Sequence, residues 1–260
     1  MRYDEAGATE ELIVLRSKRE EFGRVSRAAE GDSLERSTRH KLMVVAERLF
    51  GEFGIDAVPL RAISKEAAQK NTNSVQYHFG GKLQLLRAIF EFREEQLDPL
   101  RAAMLIEGEQ SKRLRDVSWL LRVCFEPNFR HYRDSNGISY IKLHAQYLSN
   151  LRPRGVTHPV DDQSPSTESF RKAIQLLRQR LSFLDDQLFM SRLESVGAMF
   201  LGAIIQHAAR PVTGRLPPER LFEDVLGMMT AAICTDRHDG GRSIGRRTRV
   251  PGGRPAKTRA

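Results

Sequence analysis

The sequence predicts an all-helical protein, and three observations carry that reading. Apolar residues recur every three or four positions through most of the chain, and no segment alternates apolar and polar residues as a half-buried strand would. Breaks rich in Gly, Pro, Asn and Asp separate these segments. Near residue 70, two short segments meet at one tight polar turn, with a support helix before and a long helix after.

At 260 residues the chain can hold one large domain or two modest ones, and 40% hydrophobic content is enough for a sizeable core. The net charge of +9 and pI of about 9.9 favour polyanionic partners. That charge is uneven. Residues 236–260 hold eight Lys/Arg against two Asp, a net +6 of the +9. Cys124 and Cys234 stand far apart with no Cys-x-x-Cys or nearby His pattern, which argues against zinc and fits a reducing compartment. No secretory signal is visible, and the longest weakly polar run, Val196 to Ile205, is half of the ~20 residues a membrane span needs. The expectation is a cytoplasmic, nucleoid-associated protein without membrane contact.

Residues 1–37 are charged and poor in aromatics, an extension that is either flexible or an extra amphipathic helix. The first clear helix starts near Thr38, with Leu42, Val45, Ala46, Leu49, Phe50 and Phe53 forming its stripe and Gly54 placed to stop it. Val58-Pro59-Leu60 opens a second helix, whose inner face is Ile63, Ala67 and Ala68. After Gln69-Lys70-Asn71, Asn71 or Thr72 caps a third helix. Val75 and Phe79 face inward there, and Thr72, Asn73, Ser74, Gln76 and His78 face out. Gly80-Gly81 ends it, and Lys82 begins a long helix with Leu85, Leu86, Ile89 and Phe90, continuing to Leu97 and Leu100. Two short helices so joined form a helix-turn-helix, whose second helix is shaped for the DNA major groove.

With these residues in place, the segment 38–92 resembles the DNA-binding domain of the TetR family of transcriptional regulators. The resemblance rests on Ala46-x-x-Leu49-Phe50-x-x-x-Gly54, on Ile63, on Tyr77-His78-Phe79, and on Gly81-Lys82 followed by the apolar run Leu83 to Ile89. Two departures stand out: the span from Ile63 to Tyr77 is about two residues longer than the common pattern, and Ala68 replaces the usual glycine. Either the turn is looser or Asn71 takes the left-handed conformation. The resemblance implies that Thr72, Asn73, Ser74, Gln76, Tyr77 and His78 face DNA. Gln76 is suited to adenine, Lys82 at a helix start to phosphate, and Arg39 and Arg61 to the DNA backbone.

The remaining body, 93–235, reads as helices over Leu114–Phe125, Ile138–Leu148, Ser166–Leu184, Asp186–Ala209 and Pro218–Thr235. A mobile loop is expected from Arg152 to Pro165. In the family such a body binds a small effector and dimerises through its last two helices. Trp119, Phe125, Phe129, Tyr140, His144 and Tyr147 are either the lining of an amphipathic effector pocket or an ordinary aromatic core. Gly197, Phe200, Leu201, Ile204, Leu221, Val225, Met228 and Met229 are either a two-fold interface or a buried intrachain contact.

The tail 236–260 is Gly/Pro/Arg-rich and expected to be disordered. Arg246-Arg-Thr-Arg249 suits nonspecific DNA contact, and Gly253-Arg-Pro255 resembles the core of a minor-groove AT-hook without the preceding basic residue. No phosphate loop, metal-spaced cluster or nucleophile motif is present, so neither catalysis nor a cofactor or metal is expected. The expected function is a homodimeric regulator, most simply a repressor, that leaves a palindromic double-stranded operator when a small amphipathic or apolar effector binds. The alternative is a nonspecific architectural DNA binder acting through its tail.

Overall fold

The computed structural model describes residues 35–135 and 137–235. The N-terminal extension before residue 35 and the basic tail after residue 235 lie outside the described residues. Among the described residues all regular structure is helical.

Helix α1 occupies 35–53, and Leu42, Ala46 and Phe50, spaced one turn apart, are fully buried. The predicted stripe stops there. Phe53 is 59% exposed, because the helix ends at that residue and Ile55 and Val58 of the next turn enter the core instead. Gly54, at φ +91°, makes the left-handed cap and donates to the Phe50 carbonyl at 3.0 Å. Helix α2 (Leu60–Glu66) begins after Pro59 and buries Ile63. Helix α3 (Ser74–Phe79) buries Val75 and ends at Gly80, which is left-handed at φ +81°.

Between α2 and α3 the structure resolves the missing-glycine question: Ala68, not Asn71, takes the left-handed conformation, at φ +54°. Ala68 N–H bonds the Lys65 carbonyl (3.0 Å) and Gln69 N–H the Ser64 carbonyl (2.9 Å), the paired bonds of a Schellman cap. The helix carbonyls are satisfied, but an L-residue occupies a position that favours glycine.

Helix α4 (Lys82–Gln110) has 29 residues, roughly 44 Å at 1.5 Å per residue. It runs unbroken past residue 92, where a domain boundary was expected, and belongs to two cores. Its first half places Leu85, Leu86, Ile89, Phe90 and Leu97 against α1–α3, and its second half places Met104 in the core of the body. Each such fully buried side chain contributes about 1.5–3 kcal/mol.

The body comprises α5 (Val117–Ser135), α6 (Ile138–Gln146), α7 (Glu168–Arg180), α8 (Asp186–Ala209) and α9 (Pro218–Cys234). Helix α5 runs ten residues beyond its expected end at Phe125, through Pro127. Helix α6 gives Tyr140 and Leu143 to the N-terminal core, so the two halves interlock. The stretch after α6 was expected to be a mobile loop, but it is pinned by charged and hydroxyl side chains from distant helices. Arg152 bonds Asp161 and Glu194, Arg87 bonds Asp162, and Glu91 accepts from Ser164 and Ser166. Its local composition is polar, and what orders it comes from far away in sequence.

Because Ala68 is exposed and its strain is confined to the backbone, Ala68→Gly should raise stability by about 0.5–1 kcal/mol. Urea denaturation checks this. A lower midpoint would mean that the left-handed turn is not strained.

Candidate functional site

Two places in this fold are candidates for recognition: the surface around α3 and a cavity in the body. Helix α3 follows a turn in which Asn71 Oδ1 accepts the Asn73 N–H at 2.9 Å. Thr72, Asn73, Gln76 and Tyr77 project from this helix and turn, Tyr77 being 76% exposed, and Arg61 on α2 is exposed as well. The Gln76 side-chain amide donates to the Gly80 carbonyl at 2.9 Å, on the open surface.

Two residues of the expected reading set point elsewhere. Ser74 is only 5% exposed, and its hydroxyl donates to the Asn71 carbonyl at 2.6 Å. The His78 side chain turns toward α1, with Nδ1 3.7 Å from Glu35. One misjudged face explains both, since residues 74 and 78 lie one turn apart. The inward stripe of α3 is Ser74, Val75, His78 and Phe79, wider than the Val75/Phe79 pair read from apolarity.

Arg39 and Lys82 are also engaged within the chain. The Arg39 guanidinium donates to the His78 carbonyl and lies 4.5 Å over the Phe79 ring, bracing α1 against α3. Lys82 Nζ donates to the carbonyls of Ile55 (2.9 Å) and Asp56 (3.1 Å), closing the turn after α1. Both therefore hold the motif together, a role that local sequence does not reveal. Arg93 completes the bracing with two bonds to the buried Glu47 of α1, at 2.6 and 2.8 Å.

The cavity, about 520 Å³, opens between α5, the segment after α6, α7 and α8. Of the six residues expected in a pocket, Phe125, His144 and Tyr147 line it. Trp119, Phe129 and Tyr140 do not: Trp119 lies under the Arg113 guanidinium at 3.5 Å, Phe129 stacks on Phe222 at 4.6 Å, and the Tyr140 hydroxyl meets buried Glu94. The lining is completed by residues the sequence did not single out, including Arg152, His158, Phe170, Phe189 and Met190. These come from segments far apart in the chain, and no local periodicity could have grouped them.

Comparison with known proteins follows from this geometry. Residues 42–89, from mid-α1 through the first turns of α4, match the model for bacterial regulatory proteins, tetR family. The helix-turn-helix segment is thus a TetR-type domain. That match supports a transcriptional regulator with this segment as its DNA-binding element. No curated protein matches it. Among solved structures, the proposed transcriptional regulator SCO7518 from Streptomyces coelicolor A3(2) is similar at 18% identity and a TM-score of 0.37. That likeness covers 76% of this chain and 99% of the other, and at this score it bears on nothing beyond itself.

On the last two helices most of the residues singled out follow the second of their two readings. Gly197, Phe200, Leu201, Ile204, Val225 and Met229 are buried inside the subunit's own core, while Leu221 is half-buried and Met228 exposed. An apolar stripe on a helix reads alike whether it meets its own core or a second subunit. The outward face of α8 and α9 is instead Ala198, Met199, Gly202, Gly227, Met228 and Ala231. No atom lies within 4 Å of where a side chain at Gly202 or Gly227 would begin.

Buried histidines, two of them in the cavity wall, also set a pH response. Burial, reinforced by Arg101 and Arg152, holds His144 down to about 4; burial and Arg93 do the same for His131. Burial, with neighbouring His144 and Arg152, pushes His158 well below its ordinary range. The unfolded chain, with histidines near 6.5, then binds more protons than the folded one between about 6.5 and 4. Stability should be full above pH 6.5 and fall as pH drops through that window. Urea melts across it should show that slope, and His144→Asn should reduce it, leaving the share of His131 and His158; a pH-independent midpoint would contradict the burial.

Proposed function

We propose that this regulator acts in the cytoplasm as a homodimeric repressor that holds a palindromic operator and releases it when a small amphipathic or apolar effector enters the body cavity. The observation that carries this reading is the direct attachment of the cavity wall to α4, the helix that also packs against the helix-turn-helix. Phe170 lines the cavity and lies 4.6 Å beneath the Arg101 guanidinium of α4. Asp98 of α4 accepts the Ser169 and Phe170 N–H groups at 3.0 Å each, capping α7. Glu91 and Arg87 hold the preceding segment. A ligand that moves α7 therefore acts on α4, and through it on the spacing of two α3 helices one DNA turn apart.

The outward face of α8 and α9 supports pairing. Helix α8 is long and apolar enough to cross a membrane by composition, yet only 33% of its apolar window is buried in the subunit. Met199 and Met228 are 37% and 47% exposed, and the glycines beside them allow another helix to approach closely. Thr72, Asn73, Gln76 and Tyr77 supply the base- and phosphate-reading chemistry, with Arg61 on the backbone.

Gel shifts with genomic fragments test the whole reading. A folded dimer that prefers no sequence at moderate salt would sink it, and equal binding to all fragments with a steep salt slope would favour an architectural role. Gln76→Ala should weaken operator binding and relax base preference by about 1–3 kcal/mol. Unchanged preference would remove Gln76 from the reading set. Gly202→Arg, which meets open space in the subunit, should yield a folded monomer by light scattering and lower operator affinity at least about tenfold. A dimer that persists would place the interface elsewhere.

A further inference from the structure

The cavity's chemistry is more specific than its apolar lining, and it narrows what the proposed effector can be. Its charged side chains balance: Arg152, Arg171 and Arg178 against Asp161, Asp186 and Glu194. They are also engaged with one another or with the backbone. Arg152 lies between Asp161 (2.8 Å) and Glu194 (2.6 Å) and also donates to the Tyr147 hydroxyl. Arg178 bonds Asp186 at 2.8 Å, and Arg171 bonds the Ser164 carbonyl and the Thr167 hydroxyl. A charged ligand would meet no opposite charge that is not already committed, while losing its own hydration.

The uncharged polar groups behave differently. His158, 2% exposed, lies on the cavity wall, and its Nδ1 accepts the Val160 N–H at 3.2 Å. With Nδ1 an acceptor and the ring neutral, the proton sits on Nε2. That Nε2–H is buried and unpartnered, as is Asn128 Oδ1, an acceptor on α5 in the same wall. Each unmet bond of this kind carries a desolvation cost that a partner atom would remove. The His158 ring also stacks on His144 (5.5 Å) and lies 4.6 Å from Phe90 of α4, so His158 links the cavity wall to the helix that supports the DNA-binding motif.

We infer that the cavity takes an uncharged, mainly apolar molecule bearing a carbonyl or hydroxyl oxygen, which accepts a hydrogen bond from His158 Nε2–H. This rests on the effector reading for its regulatory meaning but not for its chemistry. A hydroxyl would in addition donate to Asn128 Oδ1. A cavity of about 520 Å³ suits a ligand of ordinary small-molecule size.

The test uses the full-length protein at pH 7.5 with N-phenyl-1-naphthylamine, an uncharged dye that brightens in apolar sites, as reporter. 2-Decanone and 1-decanol should displace it at least tenfold more effectively than decanoate or decylammonium of the same chain length. Equal or better displacement by either ion overturns the assignment, as does failure of all four to displace a bound dye or failure of the dye to bind. His158→Phe should weaken 2-decanone about 3- to 10-fold, and His158→Gln, which keeps a donor, should restore most of the loss. Unchanged affinity in a folded His158→Phe protein removes the hydrogen bond from the proposal. If His158→Phe does not fold, the comparison of neutral and charged probes on the unmodified protein decides alone. A gel shift with the same compounds separates the two readings. Neutral ligands that bind without loosening operator DNA keep the ligand chemistry and remove the effector role.

Discussion

Inside α4, Arg101 and Glu94 form an ion pair from which water is excluded, with 2.5 Å between Nη1 and Oε2. Taking one partner away would leave a lone buried charge, a loss of about 3–5 kcal/mol, so the pair acts as a unit. What surrounds it shows why its geometry governs so much else. Tyr140 of α6 meets Glu94, Phe170 of α7 lies under Arg101, and Asp98, one turn from Glu94, caps α7. Helices α4, α6 and α7 are thereby fixed relative to one another around a single charged point. The N-terminal core lies on one side of that point and the cavity on the other.

This arrangement gives the protein a short mechanical path. The DNA-facing half is braced by Arg39, Lys82 and Arg93, all of which bond back into the motif, so α1–α3 and the start of α4 move as one body. The cavity side is held to α4 by side chains: two serines on Glu91, one aspartate at a helix terminus and one arginine on a ring. In the proposed mechanism these few contacts are where a shift of α7 reaches α4.

Much of this was legible in the sequence, and the parts that were not share a cause. Gly54 and Gly80 marked their helix ends, and α8 spans the predicted Asp186–Ala209. Those signals are local. The orientation of Ser74 and His78 was missed because their partners, Asn71 and α1, are polar and leave no apolar trace. For Phe200, Ile204 and Met229 two readings stayed open, because apolarity does not say which neighbour covers it. The segment 152–165 read as mobile because its anchors, Arg87, Glu91 and Glu194, lie on other helices. Phe170 and Phe189 joined the cavity through long-range packing that periodicity cannot encode.

The shortness of α3 carries a consequence of its own. Six residues make roughly 9 Å of helix, the length of about three stacked base pairs. A word that small recurs throughout any genome, and competing sites outnumber true ones by orders of magnitude. No improvement of contacts within one subunit escapes that limit, because the helix runs out before the information does. In the proposed dimer, recognition depends on joining two short words at a fixed separation and rotational phase. The selectivity of such a molecule is a property of distance as much as of chemistry, and whatever alters that distance edits what the protein can find.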